Sequence, residues 1–118
     1  MTRPPLRPRL AAELLRAGRT VEVPLGGGSM RPLLVPGDLL RVRPARAADV
    51  QPGDVVLFEF EGDLVCHRLV HASGGRVLTR GDDSPDYDPP LPADAIIGRV
   101  DVPPSPHALY CAVRALLR

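Results

Sequence analysis

Apolar residues recur along this chain in two different rhythms. Across residues 7–17, Leu10, Leu14 and Leu15, with Ala11 and Ala12 between them, fall at helical spacing, and Gly18 supplies a stop. The spacing predicts one short N-terminal helix. From Thr20 onward the period shortens to two or the runs become wholly apolar: VEVPL, LLRVRP, DVVLFEF, DLVCHRLV, RVLTR and AIIGRV. These predict six strands. Between them stand Pro36-Gly37-Asp38, Pro52-Gly53-Asp54, Glu61-Gly62-Asp63 and Gly74-Gly75, in which Pro presets φ and Gly supplies positive φ, so hairpins and tight turns are expected. Near the C-terminus, Leu109, Val113, Leu116 and Leu117 form one helical stripe over residues 106–118. The expectation is a mainly β single domain over 1–118 with a short helix at each end.

Composition narrows the partners. A chain of 118 residues is one domain's worth, and with aromatics at 3% and no Trp its core must be built from Val, Leu and Ala. Fifteen basic and 14 acidic residues leave a formal charge of +1, without the excess that binds a phosphate backbone, so nucleic acid is not an expected partner. The longest apolar runs, such as Val55 to Phe58, fall far short of the roughly 18 to 20 residues that cross a bilayer. Glu13 and Arg16 interrupt any secretory segment, so a soluble, cytoplasmic protein is expected. In that setting Cys66 and Cys111 are expected to be free thiols.

Every basic residue is Arg, and the absence of Lys restricts the available bases. In the loop GGGSMRPLLVPGD, Gly26 to Gly28 would let another chain's backbone approach Ser29 closely. This is not a nucleophile elbow, because Arg31 stands where that motif needs Gly. A base for Ser29 must come from His67, His71, His107 or the carboxylates. Strand alternation puts Val65, His67 and Leu69 on one face, Cys66 and Arg68 on the other. The loop TRGDDSPDYDPP carries Asp82, Asp83, Asp86 and Asp88, any of which could orient an imidazole or simply solvate a turn. Pro85 breaks calcium-loop spacing, and on a strand His67 and His71 lie roughly 13 Å apart, too far to share a zinc ion.

In chain order, Ser29-Met30-x-Pro32 with Pro36-Gly37-Asp38, Gly53-Asp54-Val55-Val56, His67-Arg68, Gly81-Asp82 and Ile97-Gly98-Arg99-Val100 resemble the type I signal peptidase family of signal-peptidase and LexA-like serine peptidases, over about residues 21–101. His67-Arg68 resembles the endoplasmic-reticulum and archaeal branch, which uses His where bacterial enzymes and LexA-like repressors use Lys. The resemblance implies a β-rich peptidase fold with Ser29 as nucleophile, His67 as base and Asp88 as the acid that orients it. It puts Asp82, Gly28, Met30 and Arg68 in supporting positions, with no metal or cofactor. A peptide or precursor protein with small residues such as Ala before the cut is the implied substrate. The Ser29 N–H would meet the developing oxyanion, but Gly27 stands where the family often carries a hydroxyl. Family members are membrane anchored, whereas this chain has no span; docking on a membrane or membrane protein through 106–118 would substitute. The alternative is a catalytically degenerate member that binds a peptide or partner without cutting it.

Overall fold

Pro8 occupies the first turn of helix α1 (Pro8–Arg16), where its missing N–H is not needed and its fixed φ suits the helix. The helix ends as expected at Gly18, whose φ of +86° lets its N–H reach Leu15 O at 2.9 Å while Arg19 N–H reaches Leu14 O at 2.9 Å. The computed structural model describes residues 7–102 together with 113 and 114. Val113 and Arg114 are helical, and the rest of the C-terminal helix expected over 106–118, with His107 and Cys111, lies outside the described residues. Among the described residues no helix is long and apolar enough to cross a membrane.

Seven strands follow: β1 (Val21–Pro24), β2 (Leu39–Pro44), β3 (Val55–Phe60), β4 (Asp63–Ser73), β5 (Arg76–Arg80), β6 (Leu91–Pro92) and β7 (Ile96–Val100). They form one antiparallel sheet in the order β1-β2-β7-β3-β4-β5-β6. Two Pro-Gly-Asp turns enter β2 and β3. In each, Gly takes positive φ (Gly37 93°, Gly53 100°) and the Asp carboxylate accepts an N–H three residues back, from Val35 at 2.9 Å and Gln51 at 3.0 Å. Glu61-Gly62 and Gly74-Gly75, all at positive φ, close the two-residue hairpins β3–β4 and β4–β5.

Two cores sit on the two faces of the sheet. Ala11, Ala12 and Leu15 of α1 pack on Val23, Val42, Leu57, Cys66 and their neighbours; Val56, Phe58, Leu69, Val77, Leu91 and Ile96 pack separately. Central β3 feeds both, which is why Val55 to Phe58 is an unbroken apolar run rather than an alternation. The seventh strand, β6, was not expected from the sequence, because two residues ending in Pro carry no alternation.

Gly98 on β7 is required by contact: a Cβ there would lie 2.4 Å from Val42 Cγ1 and 3.1 Å from Arg43 O. Gly98→Ala should therefore lower thermal stability by about 1–3 kcal/mol, as overpacking does. Gly26→Ala, with nothing within 4 Å of the added methyl, should melt near wild type. Equal melting of the two variants would show that the β2–β7 contact is not tight.

Candidate active site

Ser29 lies in the loop between β1 and β2, closed at its base where Leu25 N–H reaches Asp38 O at 2.8 Å and Gly37 N–H reaches Leu25 O at 2.9 Å. Its neighbour Met30 is completely buried, and the Met30 Sδ accepts the Asp82 N–H at 3.5 Å. Ser29 O in turn accepts the Asp83 N–H at 2.8 Å. The serine is thus held from both sides by a buried side chain and by the loop that follows β5. Met30 and Gly81-Asp82 act together in this loop contact.

His67 projects from β4 opposite Val56 and meets the edge of Phe58, with ring centroids 6.0 Å apart. Its Nε2 lies 2.9 Å from Ser29 Oγ and its Nδ1 lies 2.5 Å from Asp88 Oδ2. Burial alone would push the Asp88 carboxyl up, but hydrogen bonds from His67 and Thr79 and the charge of His67 outweigh it and hold the group below its ordinary range. An ionised Asp88 has no proton to give, so Nδ1 carries the hydrogen. That leaves the Nε2 lone pair facing the Ser29 hydroxyl. In this order a hydroxyl can lose its proton to the imidazole while the carboxylate stabilises the resulting cation. No partner for the Ser29 N–H is present among the described residues, so it is open to a developing oxyanion.

Asp82 and Arg68 form a separate unit. Arg68 Nε and Nη2 reach the two Asp82 oxygens at 3.1 and 2.6 Å, and Arg68 Nη1 donates to Gly53 O at 2.9 Å. Both side chains are almost fully buried, at 3% and 5% exposure. Asp82, which its place in the acidic loop offers as a solvated turn residue or an orienter of the imidazole, is neither: its partner is the guanidinium of Arg68. His71 is exposed and is not among these contacts, Asp83 and Asp86 are exposed, and Cys66 is a free buried thiol whose pKa burial pushes up to about 12. Among the described residues no three His, Cys, Asp or Glu side chains are grouped to hold a metal ion.

Two contributors, Thr79 and Arg80, were not legible in the sequence, and for Gly81 the motif was legible but its role was not. Thr79, fully buried, donates to Asp88 Oδ2 at 2.7 Å. Arg80, also buried, donates to Ser84 O at 2.9 Å and Pro85 O at 2.8 Å and stacks on Tyr87, so it folds the acidic loop back on β5. Gly81 leaves room for the reacting groups: a Cβ there would lie 2.8 Å from Ser29 O, 3.0 Å from Ser29 Cβ and 3.2 Å from His67 Nε2. Its neighbours in sequence gave no signal of that approach. Beside the serine, a cleft of about 550 Å³ is lined by Ser29 with Val23, Leu40, Leu57, Leu64 and Cys66; Val23 belongs to β1, whose outer edge pairs with no strand among the described residues.

A family model described as Peptidase S24-like matches residues 8–101 of the chain. No curated protein matches it significantly.

Breaking a buried ion pair from one side leaves the other charge unpaired, so Asp82→Asn should cost about 3–5 kcal/mol of unfolding free energy, and Asp88→Asn much less. The reverse order in urea unfolding would mean that Asp88 is the structural carboxylate. Because the folded Asp88 pKa lies below the unfolded value of about 3.9, the ionised group stabilises the fold at all higher pH, and that contribution is lost as pH falls through the folded value. The stability gap between wild type and Asp88→Asn should accordingly persist at neutral and mildly acidic pH and vanish only below about pH 4. Its loss between pH 7 and 5 would contradict the ionised pairing.

Proposed function

We propose that this chain, which belongs to the Peptidase S24-like family, is a serine endopeptidase of signal-peptidase type, nearest in its chemistry to the Ser-His branch. The observation that carries the reading is the unbroken line from Ser29 Oγ through both nitrogens of His67 to Asp88, at 2.9 and 2.5 Å. In this reading Ser29 Oγ attacks the scissile carbonyl, His67 Nε2 takes the hydroxyl proton, and Asp88 stays ionised beside the imidazolium. Nε2 returns the proton to the leaving amine, and an ester remains on Ser29. Water, deprotonated by the same nitrogen, then attacks the ester, and Nε2 hands that proton to Ser29 Oγ as the acid leaves. The oxyanion formed in each half meets the Ser29 N–H.

The apolar cleft and the outer edge of β1, which pairs with no strand among the described residues, support a peptide bound in extended form, and the resemblance to signal peptidases adds small side chains such as Ala before the cut. A precursor protein or peptide is the substrate class, reached in solution or through peripheral docking at a membrane. One feature favours a second reading, a binding module that does not cut: Gly27 offers no side-chain hydroxyl as a second oxyanion donor.

Digestion of a diverse peptide pool followed by mass spectrometry separates the two. Wild type should cut; Ser29→Ala and His67→Ala should cut at least about 10⁴-fold more slowly while remaining folded, as should Asp88→Asn. His71→Ala and chelator treatment should leave most activity. A folded wild type that binds peptides from the pool and never cuts them selects the binding module, and loss of activity in His71→Ala equal to that in His67→Ala would move the base.

A further inference from the structure

Thr79 sits on β5 where an apolar residue would be expected. Its cross-strand partner is Leu69 and the residue two before it is Val77, both buried in the core on the His67 face. The sheet pairs Thr79 through its backbone and has no use for the hydroxyl, and a buried hydroxyl without an acceptor costs free energy that a Val would avoid. Its acceptor is Asp88 Oδ2 at 2.7 Å, the same oxygen that His67 Nδ1 approaches. The Thr79 carbonyl also receives the Asp88 N–H at 2.9 Å. Asp88 needs such a hold because its neighbours Tyr87, Pro89 and Pro90 are all exposed.

On these grounds, and resting on the peptidase reading above, we infer that Thr79 is a positioning residue: its hydroxyl fixes the Asp88 carboxylate in the orientation that holds the His67 ring toward Ser29. It touches neither substrate nor nucleophile and acts only through Asp88. Two donors converging on one oxygen, with the backbone pinned beside them, leave the carboxylate no rotation that keeps both bonds. Without the Thr79 donor only the imidazole itself would orient the acid, and the two would turn together.

The test uses Thr79→Val, which keeps the shape and removes the donor, and Thr79→Ser, which restores it. The reactivity of Ser29 is read as the rate of labelling by a fluorophosphonate, and the His67–Asp88 bond as the strongly downfield Nδ1–H proton resonance. Thr79→Val should stay folded, losing no more stability than one hydrogen bond to a carboxylate supplies, label about tenfold or more slowly, and lose or shift that resonance. Thr79→Ser should recover both signals. Thr79→Ala makes the same comparison if Val is not accommodated. A folded Val or Ala variant with wild-type labelling and an unmoved resonance overturns the inference, as does a folded Ser variant that recovers neither. A folded wild type that never labels at Ser29 defeats the peptidase reading instead, and the resonance still decides the role of Thr79.

Discussion

Everything at this site depends on the two-residue period of one strand. His67 and Arg68 are neighbours on β4, so their side chains must leave opposite faces of the sheet, His67 beside Val56 and Arg68 beside Val55, and those two valines belong to different cores. Each residue takes a carboxylate from the same loop. Asp82, at the start of that loop, is drawn into a buried bidentate pair with Arg68; Asp88, at its end, lies against His67. A one-residue slip in the β3–β4 register would exchange the faces and separate both pairs at once. The register is held by the tight Glu61-Gly62 hairpin and by the buried apolar run of β3.

The two carboxylates show how environment divides labour between like groups. Asp82 is enclosed with a guanidinium that is permanently charged, an arrangement costly to break from one side and suited to holding backbone in place. Through the Asp82 N–H on Met30 and the Asp83 N–H on Ser29 O, the same loop fixes the serine. Asp88 is less buried and is held by donors that can respond to protonation, which suits an acid that must stabilise a transient cation. Gly81, between β5 and this loop, is the close approach that lets serine and histidine meet.

Much of this was legible beforehand because it is written in local periodicity. The helix ends at Gly18, both Pro-Gly-Asp turns form, and the alternation of β4 correctly places His67 opposite to Arg68. Ordered motifs and a resemblance single out Ser29, His67 and Asp88, and in the structure these three side chains are in contact. What was hidden is what depends on long-range contact. Leu91-Pro92 is too short to show a period, and Thr79 reads as one more strand residue until Asp88 is seen beside it. Arg80 looks like a solvated charge, yet it is buried with carbonyl partners four and five residues ahead. Arg68 as the partner of Asp82 is likewise a tertiary fact, since fourteen residues and a hairpin separate them.

The central claim is that a histidine, in a chain with no Lys, activates Ser29. It is tested most directly by treating folded protein with a fluorophosphonate and mapping the adduct by peptide mass spectrometry. The account predicts a single adduct on Ser29 in wild type that is absent from His67→Ala with an unchanged circular dichroism spectrum. An adduct on Ser29 that forms equally well in His67→Ala, or one that forms on another residue, would contradict it.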